Sequence, residues 1–351
     1  MGSTLKQLVN VNIKGNYPVP TPEELCSELP LTGKNVEAVF QGRESIRNIL
    51  DDKDRRLFVV VGPCSIHDPK GAIEYAERLK KLADRVKERF VLVMRVYFEK
   101  PRTTIGWKGF INDPTMDDSF KVTDGLKMAR ELLLKITGMG LPVATEALDP
   151  MTPQYLGDLI SWTAIGARTT ESQTHREIAS GLSTPVGFKN GTDGNIQVAI
   201  NAMQSALSSH HFLGIDAKGK VSVFMTRGNP YSHIVLRGAE SGPNYESKFI
   251  VECEKTLAKA GLRRKIMVDC SHGNSNKDHQ RQPIVFRAVI DQVVAGNQAI
   301  CGLMIESHLH GGNQKIPKNL SELKYGVSVT DKCLDWETTE TMILQAYERL
   351  E

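Results

Sequence analysis

The chain has 351 residues, 40% hydrophobic, 24% charged and 6% aromatic, and its 44 Lys and Arg against 41 Asp and Glu leave a formal charge of +3. So balanced a charge argues against a polyanionic partner such as nucleic acid, and no run approaches the roughly 18–20 apolar residues that span a membrane. The start, Met1-Gly2-Ser3-Thr4-Leu5-Lys6, lacks the apolar core of a secretory signal, and the six scattered cysteines have no CxxC spacing, which suits a reduced, cytoplasmic protein.

Residues 1–52 read as an extension, irregular and proline-rich at first, with a helix expected over 35–50. The first strand is expected at 57–61, an apolar run that ends on Gly62-Pro63-Cys64. Asp68-Pro69 then offers an N-cap and a proline at N1 for a helix whose apolar stripe is Tyr75, Leu79, Leu82 and Val86. The run 90–94 ends on Arg95, with Lys100 and Arg102 just beyond; Leu126, Ala129, Leu133 and Ile136 mark the next helix, stopped by Gly138-Met139-Gly140. The run 142–145 leads to Glu146, Thr152-Pro153 opens a third helix, and 162–165 leads to Arg168. The run 185–188 ends on Lys189, and a helix is expected over 193–207. At 212–226 the alternation breaks: apolar 212–215 and 221–224 flank the polar turn 216–220, the pattern of an inserted β-hairpin. Beyond it, 233–236 leads to Arg237, 265–268 to Asp269-Cys270-Ser271-His272, and 299–305 to Glu306-Ser307-His308. Helices are expected over 246–260, 283–294 and 336–350.

Short, continuous apolar runs separated by helices are buried parallel strands. Eight of them, each ending on a reactive side chain, predict an α/β fold: a (β/α)8 TIM barrel whose active site occupies its C-terminal mouth. The catalytic barrel is placed at 53–351, with the hairpin inserted at about 212–226 and the extension at 1–52. Both additions are expected to carry regulation or subunit contacts, as loops and add-ons often do.

Two sets of residues converge on that mouth. Cys64, His272, Glu306 and, in the last loop, Asp331 combine thiolate, imidazole and carboxylate. That set suits a borderline divalent metal such as Mn, Fe, Co, Zn or Cu, which can act as a Lewis acid. Arg95, Lys100, Arg102, Arg168, Lys189 and Arg237 follow buried runs, where an unpaired charge is costly. A ligand carrying more than one phosphate-sized anion removes that cost, with arginine forking onto phosphate or carboxylate and lysine acting as a point charge. The turn Asn190-Gly191-Thr192-Asp193-Gly194 before a helix adds a weaker anion signal.

Six longer motifs carry a family resemblance. They are Gly62-Pro63-Cys64-Ser65-Ile66-His67-Asp68, Arg95-Val96-Tyr97-Phe98-Glu99-Lys100-Pro101-Arg102-Thr103-Thr104, Gly166-Ala167-Arg168-Thr169-Thr170-Glu171-Ser172, Pro185-Val186-Gly187-Phe188-Lys189-Asn190-Gly191-Thr192-Asp193-Gly194, Asp269-Cys270-Ser271-His272 and Ile305-Glu306-Ser307-His308. From about Arg43 to the C-terminus the chain closely resembles the feedback-regulated type I 3-deoxy-D-arabino-heptulosonate 7-phosphate (DAHP) synthases. The resemblance implies a condensation of phosphoenolpyruvate with D-erythrose 4-phosphate that releases phosphate and opens the shikimate pathway. It implies that Arg95, Ala167, Arg168, Lys189 and Arg237 hold phosphoenolpyruvate, that Lys100, Arg102 and Thr103 hold the erythrose 4-phosphate end, and that Cys64, His272, Glu306 and Asp331 bind the metal.

Lys100 is then expected to donate a proton to the developing alkoxide and Glu146 to position water, with His272 the third catalytic group. An aromatic amino-acid effector is implied at Gln154, Leu182, Ser183, Phe212 and Gly214, tyrosine being favoured because Gly214 leaves room for a phenol oxygen. A homo-oligomer, dimer or tetramer, is also implied. Two other activities and one non-catalytic role compete. An arabinose 5-phosphate-using sugar-acid synthase is disfavoured by Lys100-Pro101-Arg102-Thr103 and by the hairpin. Lys189 could instead be the Schiff-base lysine of an aldolase. A non-catalytic phosphate-binding barrel would be expected to have lost some of these groups.

Overall fold

The computed structural model describes residues 8–102 and 104–350. Its strands, in chain order, are β1 (Leu57–Gly62), β2 (Phe90–Arg95), β3 (Val143–Glu146), β4 (Trp162–Ile165), β5 (Val186–Lys189), β6 (His211–Ile215), β7 (Val221–Met225), β8 (Ser232–Leu236), β9 (Ile266–Asp269) and β10 (Ile300–Glu306). All but β6 and β7 pair in parallel and close a barrel in the order β1, β10, β9, β8, β5, β4, β3, β2. Nearly every residue of these eight strands is buried, which is why their sequences run apolar without alternation. Gly62 (φ +155) lets the ends of β1 and β2 approach, since a Cβ there would lie 2.8 Å from the Arg95 carbonyl oxygen.

The helices are α1 (Pro22–Glu28), α2 (Gly33–Leu50), α3 (Pro69–Val86), α4 (Val122–Gly138), α5 (Thr152–Leu156), α6 (Gln173–Gly181), α7 (Gln197–Leu207), α8 (Ser247–Lys259), α9 (Gln282–Val294) and α10 (Trp336–Arg349). The α3 stripe of Tyr75, Leu79, Leu82 and Val86 is fully buried, as its spacing requires. The sequence expectation differs at α1 and α7, and it assigns no range to α6. α1 lies in the stretch expected to be irregular; Thr21 and Glu24 form a reciprocal capping box that starts it. α6 carries only a short apolar stripe, although Ser172 caps it. α7 begins at Gln197 rather than at 193, because Asp193 and Asn195 bond to backbone amides two residues on and Gly194 takes φ +94.

α2 crosses the N-terminal end of the barrel. Its Ile46, Ile49 and Leu50 join Phe58, Val60 and Trp162 in the barrel's interior cluster, so this part of the extension shares the barrel's core. Gly42 makes the approach possible: a Cβ would lie 2.5 Å from Pro142 Cβ and 2.7 Å from Ser161 Oγ. β6 and β7 form the expected antiparallel hairpin, with Phe212 and Phe224 stacked on one face, centroids 5.8 Å apart. On its other face Leu213 and Met225 are 74% and 76% exposed. Among the described residues no helix is long and apolar enough to cross a membrane, and all six cysteines are free.

Inside the barrel, Trp162 Nε1 donates to His233 Nε2 at 2.9 Å. Burial pulls His233 down to about 4, whereas an unfolded histidine titrates near 6.5. As pH falls the unfolded chain binds the proton first, so stability held above about 6.5 is lost down to about 4, on the order of 3 kcal/mol. Thermal melts between about pH 7.5 and pH 4.5 should fall more steeply for the wild type than for His233→Gln. Equal slopes would assign the acid sensitivity to other groups.

Candidate active site at the barrel mouth

Three donor atoms meet where β1 and β10 end. Cys64 follows β1, Glu306 ends β10, and Asp331 arrives on the long loop after it, with one ligand atom from each lying within 4.8 Å of the others. That loop is pinned back over the mouth: Leu334 N donates to Glu306 O at 2.9 Å, and Gly312 and Cys333 exchange two backbone hydrogen bonds. Cys64 Sγ lies 3.5 Å from Asp331 Oδ2 and 3.1 Å from Lys100 Nζ. His272, expected as a fourth ligand, stands beside this trio with Nε2 3.9 Å from Glu306 Oε1. Its backbone is left-handed at φ +54, a strained conformation for a residue with a side chain. One sulfur and two carboxylates, with an imidazole adjacent, fit a borderline divalent cation.

Charge tunes each of these groups. Burial, then Glu306, pushes the Cys64 thiol up to about 11. Burial pulls the Lys100 ammonium down, but Cys64 and Glu306 outweigh it and hold lysine above its ordinary value. Burial raises Asp331, yet Lys100 and His272 bring it below the ordinary carboxylate value.

A cavity of about 420 Å³ opens beside the trio, walled by Arg95, Lys100, Arg102, Ala167, Arg168, Lys189 and Arg237 together with Glu146, His272 and Asp331. Every cation expected at the mouth is therefore on one cavity; Thr103 lies outside the described residues. The cations differ in freedom. Arg95 is 1% exposed, donates to Pro63 O, Cys64 O and Glu306, and stacks 3.6 Å from the Tyr97 ring centroid. Lys189 is buried against Asp269, Nζ to Oδ2 2.8 Å, whereas Arg102 and Arg168 are exposed. Glu146 is buried, and its Oε1 has no hydrogen-bond partner among the described residues. A side chain at Gly166 would overlap that oxygen.

Sequence reasoning passed over the groups that hold this wall. Asn190 Oδ1 accepts from Arg237 N at 2.8 Å, and Asn274 Nδ2 donates to Leu236 O and Asp269 O at 3.0 and 2.8 Å. Asn244 Oδ1 accepts from Gly238 N at 2.8 Å. These amides satisfy strand-end backbone that the barrel cannot pair. Lys277, His279 and Lys332 also face the cavity. Asp269 was legible by the rule that found the others, since it too ends an apolar run.

A second cavity of about 740 Å³ lies between β3, α5, the end of α6 and the hairpin. Gln154, Leu182, Ser183 and Phe212 line it, whereas Gly214 does not. A Cβ at Gly214 would instead come 3.0 Å from the ring of Phe224, which does line it. Glu146 borders both cavities.

Comparison with known proteins finds close relatives along nearly the whole chain. The model of the DAHP synthetase I family matches residues 30–344. The Tyr-sensitive phospho-2-dehydro-3-deoxyheptonate aldolase of Escherichia coli is 57% identical over 343 residues, 98% of this chain and 96% of the relative. The Phe-sensitive enzyme of the same organism is 52% identical over 324 residues, 92% of each chain. The solved structure of phospho-2-dehydro-3-deoxyheptonate aldolase from Francisella tularensis superimposes with a TM-score of 0.94 at 50% identity, covering 96% of this chain and 98% of that one.

Proposed function

The chain belongs to the DAHP synthetase I family, and on that premise we propose that its barrel mouth condenses phosphoenolpyruvate with D-erythrose 4-phosphate and releases phosphate. The observation that carries this reading is the single cavity walled by cations and bordered by a thiol, two carboxylates and an imidazole. Two phosphorylated substrates neutralise the cations, and the donor set suits a divalent metal. Phosphate release should require both substrates and should stop on chelation. Release without the aldehyde, or turnover undiminished by a chelator, would defeat it. Borohydride trapping of substrate on Lys189 would favour the Schiff-base aldolase, a role disfavoured by the ion pair that holds this lysine to Asp269.

Cys64, Glu306 and Asp331, with His272, would hold the metal, which when bound supplies Lewis acidity toward the aldehyde oxygen. Arg95, Arg168, Lys189 and Arg237, with the Ala167 backbone, hold the carboxylate and phosphate of phosphoenolpyruvate. Lys100, Arg102 and Thr103 hold the erythrose 4-phosphate end. Lys100 gives a proton to the alkoxide as C3 of the enol phosphate bonds to the aldehyde carbon. Glu146, with one oxygen unpartnered, orients the water that adds at C2 before C–O cleavage frees phosphate. Fixed charges and fixed geometry supply most of the acceleration.

The two substrate ends predict a split. Arg237→Ala should raise KM for phosphoenolpyruvate, and Arg102→Ala that for erythrose 4-phosphate, each roughly tenfold or more, since a charged hydrogen bond contributes about 1.5–3 kcal/mol. Steady-state kinetics with each substrate varied in turn checks it; equal effects on both would reject the assignment of ends.

The second cavity is proposed as an effector site for an aromatic amino acid, with tyrosine the stronger inhibitor, as the name of the Tyr-sensitive relative suggests. The position of Gly214 supports an indirect route: a serine there would have to move Phe224. Gly214→Ser is expected to shift preference toward phenylalanine in inhibition titrations. Stronger inhibition of the wild type by phenylalanine would sink this assignment. The exposed apolar face of the hairpin supports a homo-oligomer. The extension and the hairpin are proposed to serve regulation and assembly around the catalytic barrel, and the protein to act in the cytoplasm.

A further inference from the structure

Asp269 ends β9, and its carboxylate is fully buried. Oδ2 accepts from Lys189 Nζ at 2.8 Å and also lies 2.9 Å from His272 Nδ1, while Oδ1 accepts from Ser271 N at 3.0 Å. One oxygen thus stands between a cation of the anion-binding wall and an imidazole whose far nitrogen faces Glu306. The two contacts are unequal. The lysine bond is well formed, whereas among the described residues His272 Nδ1 has no aligned hydrogen-bond partner despite its closeness to Oδ2.

Resting on the roles given above to Lys189 and His272, we propose that Asp269 is a positioning residue that couples the phosphoenolpyruvate site to the metal site through this shared oxygen. With no anion bound, Lys189 claims Oδ2. A phosphate or carboxylate that accepts the hydrogen bond Lys189 now gives Asp269 releases Oδ2 to His272. A carboxylate hydrogen-bonded to one ring nitrogen fixes the tautomer, orients the ring and makes the other nitrogen a better ligand. The anion therefore tightens metal binding and the metal tightens anion binding, by the same factor. If Asp269 only neutralised Lys189, its loss would weaken the anion site and leave this coupling in place.

The test is calorimetric titration of the metal-free protein with Mn²⁺, with and without saturating phosphoenolpyruvate and with no aldehyde present, so that no turnover occurs. In the wild type phosphoenolpyruvate should lower the Mn²⁺ Kd by about fivefold or more. In Asp269→Asn the Mn²⁺ Kd should stay at or above that of the unsaturated wild type, and phosphoenolpyruvate should no longer lower it. Should Asp269→Asn fail to fold, Lys189→Met reads the coupling from the other partner. Its Mn²⁺ affinity without phosphoenolpyruvate should approach that of the saturated wild type, and an affinity equal to that of the unsaturated wild type overturns the proposal. Cys64→Ala separates the metal site from the coupling. Unchanged Mn²⁺ affinity in that variant overturns the metal-site reading and the coupling with it. Loss of affinity there, combined with undiminished coupling in Asp269→Asn, overturns the coupling alone.

Discussion

Cys64→Ala is expected to give a folded barrel that keeps little metal and almost no turnover. The side chain is wholly buried, and deleting one sulfur from a packed site costs about 1 kcal/mol, too little to unfold the chain. Its chemical loss is larger. Cys64 is the only sulfur in the donor trio, and Asp331 and Lys100 both lie within 3.5 Å of Sγ. Without the thiol the two carboxylates and the neighbouring imidazole remain, a set one ligand short that has lost its soft donor. Metal analysis after dialysis, circular dichroism and phosphate release together check the prediction. A variant with full metal content and full turnover would remove Cys64 from the site.

Lys100→Met should lower kcat by roughly 10²–10⁴-fold, the usual contribution of a positioned proton donor. Lys100 Nζ lies 3.1 Å from Cys64 Sγ and 3.4 Å from Cys64 O, which aims its protons at the donor trio. Methionine keeps the unbranched side chain to within one atom of its length and removes the ammonium, so packing changes little. The metal content should persist, which separates this variant from Cys64→Ala. The KM for phosphoenolpyruvate should change far less than kcat, because the enol phosphate is held by other cations. A kcat within about tenfold of wild type would rule out proton donation by Lys100.

The barrel was legible because burial on both faces leaves its mark on every residue of a strand. The runs 57–61 and 299–305 read as strands without any partner in view, within one residue of the observed β1 (Leu57–Gly62) and β10 (Ile300–Glu306). The hairpin was legible for the opposite reason, two short runs joined by a polar turn, and its register pairs Phe212 with Phe224. Less was legible where side chains rather than burial set the local structure. The start of α7 was misplaced by four residues, because Asp193 and Asn195 cap backbone amides that a helix would have used.

What the sequence determined by itself was therefore the strand and helix alternation, the face on which reactive groups gather, and the kinds of group. Apolar patterning reports which residues leave water, and the rule that barrel chemistry sits at strand C-termini does the rest. Which groups share a partner was set by long-range packing. It brought Cys64, Glu306 and Asp331 within 4.8 Å of one another and left His272 beside them. It gave Arg95 to protein acceptors, and it put Phe224 rather than Gly214 on the wall of the second cavity. It also set one oxygen of Asp269 against both Lys189 and His272. The reason is geometric: side-chain direction at a strand end depends on the loop that follows, here a left-handed His272 and a long loop folded back onto β10. A hydrogen bond depends on distances of a few tenths of an ångström between residues far apart in the chain, and periodicity carries no record of them.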